Sequence, residues 1–205
     1  MPGYKNFYFS DFSGINASIG EHSAVCGEPD LTLTWCYDAK YDHLDVKQNV
    51  FNQVFNIGSS CYVESRDILA FPNSKVKMTS VKVNDDKPGI ISIGNNVVLQ
   101  GTCIVSYESV IIEDNVTFGP GVTIMDSDGH PLLGRGESDE AERILSKPIT
   151  IKKHAWIGKG ATILKGVTVG EHSIVSTNSV VTRNVPAYSV VMGNPAKIVK
   201  TLESL

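Results

Sequence analysis

Aliphatic residues recur every six positions in the last third of the chain. The series that starts at Ile151 continues through Ile157, Ile163, Val169, Val175 and Val181. Small or branched residues stand four positions after the first five members, at Ala155, Ala161, Val167, Ser173 and Ser179. A period of six fits neither an amphipathic helix nor a hairpin, but it fits a short strand followed by a tight corner. Three such units make a triangular coil of about eighteen residues, and such coils stack as parallel strands ~4.8 Å apart.

The same period occurs earlier in the chain. It runs through Ile93, Leu99 and Val105 and, after one extra residue, through Ile112, Phe118 and Ile124. Residues 19–25 and 57–63 resemble weaker copies. The repeated aliphatic side chain is expected to point into the prism, and the small residue to fit a corner.

We therefore predict an all-β parallel β-helix that forms one domain over residues 1–205. Residues 1–90 are expected to form irregular N-terminal coils, 91–125 central coils and 148–192 C-terminal coils. In the tail, 193–205, the terminal KTLESL is expected to be a short capping helix over an open sheet edge. The general rule for parallel crossovers favours a right-handed coil.

Residues 126–147 interrupt the repeat. This polar segment must protrude, because the coils on both sides of it continue. Its glycines and Pro131 favour a loop in which 138–144 could form one or two helical turns. Long ordered loops in compact domains are usually functional. We expect this arm to cover the flat face of a neighbouring subunit and so to create a pocket.

His130 is the candidate general base. If the strand from Ile124 continues, then Asp126, Asp128 and His130 share one side of it. A carboxylate beside an imidazole can fix its tautomer and raise its basicity. Asp126, Asp128 or a backbone carbonyl could therefore orient the ring. The alternative is a solvated surface histidine.

Composition and charge narrow the class of protein. Hydrophobic residues make up 41% and charged residues 20% of the chain, as in folded soluble proteins. No apolar run approaches a membrane span, Met1–Ser10 does not resemble a signal peptide, and the four cysteines are scattered, so a cytoplasmic protein is expected. Residues 147–205 carry eight Lys or Arg but only two Glu, which indicates an anionic ligand there. Nucleic acid is an alternative, but no aromatic stripe or binding motif supports it.

The segment 149–200, together with DGHP at 128–131, AWIG at 155–158 and GNPAK at 193–197, resembles the hexapeptide-repeat acyltransferases. The closest resemblance is to galactoside and maltose acetyltransferases and to capsular or lipopolysaccharide O-acetyltransferases. It implies a left-handed parallel β-helix, a homotrimer, acetyl-CoA as co-substrate and His130 as the catalytic base. The helical cap of the galactoside enzymes is not recognisable in residues 1–90.

The resemblance also implies where the substrates bind. The cofactor would lie in a groove between two prisms, near the C-terminal coils. The matching donor positions are Trp156, Lys159, Ser176, Thr177, Thr182, Arg183, Lys197 and Lys200. Surface lysines and corner residues are the alternative reading for Lys159, Ser176 and Thr177. Gln100, Tyr107 and Glu108 lie about one coil before the arm and could bind acceptor hydroxyls, whereas the segment 35–43 suits either a sugar or a folded cap.

The sequence gives little support for two other kinds of site. Cys103 could be a nucleophile, but its place in the repeat favours a role in the core. His154 and His172 lie one coil apart and should stack at an exposed corner, so no metal is expected. We predict an acetyl-CoA-dependent O-acetyltransferase for a sugar hydroxyl, in surface polysaccharide synthesis, with no nucleic-acid partner and no membrane span. N-acetylation of an amino sugar and a non-catalytic assembly subunit are the alternatives.

Overall fold

The computed structural model describes residues 1–68 and 70–203. Two short 3-10 turns, Ala39–Tyr41 and Gln48–Phe51, accompany the strands. The strands of this part of the chain are β1 Gly3–Phe9, β2 Ala17–Ile19, β3 Ala24–Cys26, β4 Asp30–Tyr37, β5 Phe55–Ile57, β6 Tyr62–Glu64, β7 Lys77–Val83, β8 Ile90–Ile93, β9 Val98–Gln100, β10 Cys103–Ser106, β11 Ser109–Ile112, β12 Thr117–Phe118, β13 Thr123–Met125, β14 Ile149–Ile151, β15 Trp156–Ile157, β16 Thr162–Leu164, β17 Thr168–Val169, β18 Ile174–Val175, β19 Val180–Val181, β20 Ser189–Gly193 and β21 Ala196–Thr201.

These strands form the three sides of a prism. Sheet A has the order β1-β4-β7-β10-β13-β16-β19, sheet B the order β17-β14-β11-β8-β5-β2 and sheet C the order β21-β20-β18-β15-β12-β9-β6-β3. From β8 to β19 the chain visits sheets B, C and A in turn, and its strands pair in parallel with those one coil away. We name the edges by the strands that they connect: the B–C, C–A and A–B corners.

The repeated aliphatic residues fill the prism, as the period of six predicts. Ile112, Ile151 and Val169 are aligned in sheet B, and Ile124, Ile163 and Val181 are aligned in sheet A. All members of the series from Ile151 to Val181, and the small residues between them, are at most 1% exposed. One continuous apolar core thus runs along the axis and supports every corner.

The register of the series differs from the prediction at one coil. Ile104, not Val105, is the buried residue of β10 and is aligned with Ile124. Val105 faces outward on sheet A, and Cys103 also lies on that face, half-buried, so its expected place in the core is wrong. The slip arises before β10, because the corner between Leu99 and Ile104 is one residue shorter than the repeat; the turn from Ile104 to Ile112 is correspondingly longer and is held by the buried carboxylate of Asp126.

The C-terminal tail is a strand rather than the expected capping helix. β21 pairs antiparallel with β20 and continues the edge of sheet C. Residues 204 and 205 of KTLESL lie outside the described residues. Residues 138–144 of the arm likewise form successive turns and no helix.

The N-terminal residues form a packed cap on sheet A. β1 pairs antiparallel with β4, and the rings of Phe7 and Phe9 pack on Phe51 and Phe55. In the aromatic segment 35–43, the side chain of Trp35 is buried and donates from Nε1 to the carbonyl of Asn84 at 2.8 Å. This geometry fits the folded cap rather than a sugar-binding surface.

The B–C corner carries an external aromatic stack. Each turn there needs one residue with positive φ, and His154 (61°), His172 (55°) and Tyr188 (55°) occupy three of these positions. The ring centroids of the two histidines lie 4.6 Å apart, and Tyr188 lies 5.0 Å from His172. The predicted stacking of His154 and His172 is confirmed.

Candidate active site

Asp126 holds the root of the arm. Its buried carboxylate accepts hydrogen bonds from the Ser106 hydroxyl (2.9 Å) and from the backbone N–H groups of Tyr107 (2.7 Å), Glu108 (2.9 Å) and Ser109 (2.8 Å). Burial raises the pKa of Asp126, although these donors act in the opposite direction. The carboxylate therefore shapes the turn that carries Tyr107 and Glu108.

Asp128 is engaged with the next coil. Its carboxylate forms an ion pair with Lys165 on the A–B corner. In the described residues both carboxylates therefore have partners other than His130, and the support of His130 by Asp126 or Asp128 stays a prediction. The strand from Ile124 ends at Met125, so the alternation on which that expectation depended does not continue.

Glu140 is the carboxylate beside His130. The Nδ1 atom of His130 lies 3.3 Å from Oε1 of Glu140, which is an ion-pair distance without the angle of a hydrogen bond. The Glu140 side chain is only 2% exposed and also binds Nε of Arg135 at 3.0 Å. The backbone N–H of Gly136, and then Arg135 and His130, hold the pKa of Glu140 below its usual value despite burial. The site thus contains an ionised acid beneath an imidazole that is 43% exposed.

The arm packs on its own chain. Asp38 accepts hydrogen bonds from the backbone N–H groups of Ala141 (2.8 Å) and Glu142 (3.0 Å), and Lys40 pairs with Glu142 at 2.6 Å. Below these contacts lies a small apolar cluster made of Cys36, Val81, Val83, Val105, Tyr107, Ala141 and Ile144. The base of the arm therefore covers sheet A of the same chain, and the expectation that the arm also covers a neighbouring subunit stays a prediction. Its tip, Leu132 and Leu133, is exposed.

Trp156 lies in a column of outward-facing residues on sheet C. The aligned residues, each on the next strand, are Val98, Thr117, Trp156, Ile174, Val190 and Lys200. Trp156 is 53% exposed, and Lys197 extends from the same edge strand as Lys200. We call this set the sheet C column. The exposed indole of Trp156 and the side-chain ammonium of Lys200 thus lie along one face of the prism.

Four further predicted residues lie at the adjacent C–A corner. Gln100 and Lys159 lie two turns apart on this corner, and Ser176 and Thr177 lie on the turn after Lys159. The turns are joined by backbone hydrogen bonds from Gly121 N to Gln100 O (3.0 Å), from Gly160 N to Pro120 O (2.9 Å) and from Asn178 N to Lys159 O (2.8 Å). This ladder gives the corner a fixed spacing beside the sheet C column.

The remaining predicted residues lie at the A–B corner, across sheet A. Thr182 contributes to a cavity of about 260 Å³ below the arm, with Ser127, Asp128, Lys147, Leu164 and Lys165. Arg183 and Lys197 line a second cavity of about 350 Å³ at the C-terminal end of the prism. Tyr107 and Glu108 are also at the A–B corner, where Tyr107 is covered by the arm and burial raises its pKa to about 12. The predicted site residues therefore form two groups on either side of sheet A, and these meet only at the C-terminal end of the prism, where Arg183 and Lys197 line the same cavity.

Neither a metal nor a thiol site stands out in the described residues. They contain no group of three or more His, Cys, Asp and Glu side chains placed to hold a metal ion. All four cysteines are free, and burial raises the pKa of the Cys103 thiol, which disfavours the thiolate. Within residues 1–68 and 70–203, no helix is long and apolar enough to cross a membrane.

Comparisons with known proteins agree with this architecture. Residues 148–183 match the family model of the bacterial transferase hexapeptide (six repeats). The chain therefore carries hexapeptide repeats in its C-terminal coils. It is 43% identical over 109 residues to nodulation protein L of Rhizobium meliloti (strain 1021), covering 53% of this chain and 58% of the relative. It is 38% identical over 135 residues to the polysialic acid O-acetyltransferase of Escherichia coli O1:K1 / APEC, covering 62% of this chain and 41% of the relative.

A solved structure extends the comparison to the fold. The hexapeptide-repeat acetyltransferase VCA0836 of Vibrio cholerae O1 biovar eltor, complexed with acetyl coenzyme A, aligns with a TM-score of 0.50 and 32% identity. The alignment covers 56% of this chain and 61% of the Vibrio chain. The fold is the left-handed parallel β-helix, as the resemblance implied and against the right-handed rule for crossovers. The chain spans about half the length of the curated relatives reported above.

Three basic side chains are candidates to bind acetyl-CoA. Its pyrophosphate and 3′-phosphate need cations, and Arg183, Lys197 and Lys200 lie toward the C-terminal end. In the described residues no carboxylate lies within 4.0 Å of their cationic nitrogens. These three charges are therefore available to an anionic ligand.

Proposed function

We propose that the protein is an O-acetyltransferase that moves the acetyl group of acetyl-CoA to a sugar hydroxyl, with His130 as general base. The observation that carries the proposal is the half-exposed His130 ring above the buried Glu140 on the arm of a hexapeptide prism. The similarity to a polysialic acid O-acetyltransferase and to an acetyltransferase complexed with acetyl coenzyme A supports it.

The chemistry needs one proton to move twice. A sugar hydroxyl is a poor nucleophile until a base removes its proton. The neutral imidazole of His130 accepts this proton as the hydroxyl oxygen forms its bond to the carbonyl carbon. Acetyl-CoA, when bound, supplies that carbonyl as a thioester. The carbon–sulfur bond then breaks, and His130 returns the proton to the departing thiolate.

Glu140 acts through His130. Its carboxylate is held in place by Arg135 and by the backbone N–H of Gly136, so it faces the ring without rearrangement. An ionised acid 3.3 Å from Nδ1 stabilises the imidazolium that forms during transfer. It also favours the tautomer that leaves Nε2 free to accept the proton. Glu140 is therefore a positioning residue, in the role first expected of Asp126 or Asp128.

The donor is proposed to lie along the sheet C column and the C–A corner. Trp156 would contact the pantetheine arm, and Ser176 and Thr177 would flank it. Arg183, Lys197 and Lys200 would bind the phosphates, with Thr182 beside Arg183. On the acceptor side, Gln100 and the exposed Glu108 remain candidates, whereas Tyr107 packs under the arm. We place the reaction in the cytoplasm, in the synthesis of a surface polysaccharide.

We further propose a homotrimer. His130 and the sheet C column lie on different sides of sheet A in one chain, so a neighbouring copy is needed to bring them together. This predicts complementation between His130→Ala and Trp156→Ala. Each variant alone should have little activity, but mixed trimers contain interfaces with one intact His130 and one intact Trp156 and should recover part of it. Native mass spectrometry would confirm co-assembly, and an inactive co-assembled mixture, or an active monomer in light scattering, would contradict the proposal.

The proposed activity predicts release of free thiol from acetyl-CoA in the presence of a suitable sugar. The assay should use a panel of neutral sugars, acidic sugars, amino sugars and nucleotide sugars, with mass spectrometry of the product. Transfer to oxygen gives an ester that hydroxylamine cleaves, whereas transfer to nitrogen gives a resistant amide. An amide product would instead favour the N-acetyltransferase alternative, and thiol release that no sugar stimulates would contradict sugar acetylation.

A further inference from the structure

A second loop leaves the prism at the C–A corner, over residues 66–75 between β6 and β7. Its two ends are fastened together. Asp67 accepts from the backbone N–H of Asn73 at 2.8 Å, and Asn73 Nδ2 donates to the carbonyl of Arg66 at 3.0 Å. Lys75 then pairs with Asp30 of β4 at 3.1 Å. The loop is thus held at its base.

This loop follows the corner past Gln100. A Cβ atom on Gly101 would lie 2.4 Å from Asn73 Oδ1 and 2.8 Å from Ser74 O, so the loop is in direct contact with the turn that follows Gln100. Farther along, the Nζ atom of Lys159 lies 5.3 Å from the ring centroid of Phe71. Gln100 and Lys159 are two coils apart, which is roughly 10 Å. The loop therefore spans the distance between a proposed acceptor residue and a proposed donor residue.

The side chains where this loop meets the C–A corner, Phe71 and Lys159, suit a charged sugar. Phe71 is 59% exposed although it lies against an ammonium group, so one ring surface is open to a ligand. Aromatic faces bind apolar ring surfaces, and a few polar groups beside them fix orientation. Among the described residues no carboxylate lies within 4.0 Å of Lys159, whereas Arg66 is already neutralised by Glu64 at 2.8 Å. Of these two cations, Lys159 is therefore the one available to bind an anionic group of a ligand.

The donor does not account for that charge. The pantetheine arm of acetyl-CoA is neutral, and its phosphates are matched by Arg183, Lys197 and Lys200 toward the C-terminal end of the prism. The loop starts at β6, near the opposite end. It therefore meets the reactive end of the proposed site, where the acceptor must bind.

We propose that Phe71 and Lys159 form an acceptor-specificity wall, with the sugar ring stacked on Phe71 and an anionic substituent of that sugar, a carboxylate or a phosphate, bound by Lys159. This inference rests on the proposed function and names its substrate class. It also revises the role of Lys159, which the family resemblance assigned to the cofactor arm. Gln100, beside the same loop, would bind a hydroxyl of the sugar.

The test compares KM for the acceptor with KM for acetyl-CoA in Phe71→Ala. We expect KM for a sialic acid oligomer or a sugar phosphate to rise about tenfold, the size of one aromatic stacking contact, while KM for acetyl-CoA stays unchanged. Phe71→Tyr should restore the acceptor KM. Lys159→Ala should remove the preference for these acidic acceptors over a neutral maltose oligomer. Ile68→Ala, an exposed apolar residue of the same loop, is the matched control and should behave like wild type.

A titration without chemistry separates this inference from the proposed activity. His130→Ala protein is titrated with the same acidic and neutral saccharides and with CoA, with and without Phe71→Ala. Saccharide binding that is lost with Phe71 while CoA binding is kept supports the wall, even if no transfer is found. The inference is overturned if Phe71→Ala weakens CoA instead, if it leaves saccharide binding unchanged, or if no saccharide binds.

Discussion

Replacing His130 with alanine is expected to lower kcat for acetyl transfer by about 10²–10⁴-fold, the usual contribution of a positioned general base. The ring is 43% exposed, so its removal leaves no cavity in the apolar core. The substitution also leaves the sheet C column intact. Affinity for CoA and the midpoint of thermal unfolding should therefore change little. Steady-state thiol release, calorimetric titration with CoA and circular dichroism measure the three quantities.

Two further variants give this prediction its controls. Glu140→Gln keeps the size of the side chain and removes its charge, so it should lower kcat less than the loss of the base and leave both KM values unchanged. His154→Ala removes an exposed histidine at the B–C corner and should leave transfer at the wild-type rate. A wild-type kcat in His130→Ala would remove the base assignment, and an equal loss in His154→Ala would indicate a general effect on stability.

The prism itself could be predicted because its signal is local. Each six-residue unit places one aliphatic side chain in the same environment, so the period appears in the sequence before any long-range contact is known. The slip from Val105 to Ile104 was not predictable in this way. The corner between Leu99 and Ile104 is one residue shorter than the repeat, and its Gly101 packs against Asn73 and Ser74, which lie much earlier in the chain.

The candidate site could be predicted only in part, for the same reason. DGHP and AWIG identify His130 and Trp156 from short motifs, and the structure places both where a ligand could reach them. Glu140 has no such signal, because it approaches His130 only when the arm folds back on Asp38, more than a hundred residues earlier in the chain. Phe71 also has no local sequence signal, because only a tertiary contact brings its ring next to the ammonium group of Lys159.

The largest loss of stability is expected from Asp126→Ala. This carboxylate is fully buried and accepts four hydrogen bonds, three from backbone N–H groups of the turn at 107–109 and one from Ser106. Without it, the buried donors have no acceptor and the turn loses its organising group. A buried donor left without its acceptor costs about 1–3 kcal/mol, so the loss of one acceptor shared by these donors is expected to cost several kcal/mol. Urea unfolding should show this decrease in the free energy of unfolding as a lower midpoint with an unchanged m-value.

Asp128→Ala is the matched control, since it removes the same group two residues away. Asp128 forms its ion pair with Lys165 near the surface, where such pairs contribute about 0–1 kcal/mol. If the arm were held mainly by charge, the two variants would lose similar free energy, and high salt would reduce both losses. If the arm is held by the buried acceptor, only Asp126→Ala lowers the free energy of unfolding by several kcal/mol. Salt should leave that loss unchanged, because buried groups are weakly screened. Equal small losses in both variants would show that the turn at 106–109 forms without Asp126.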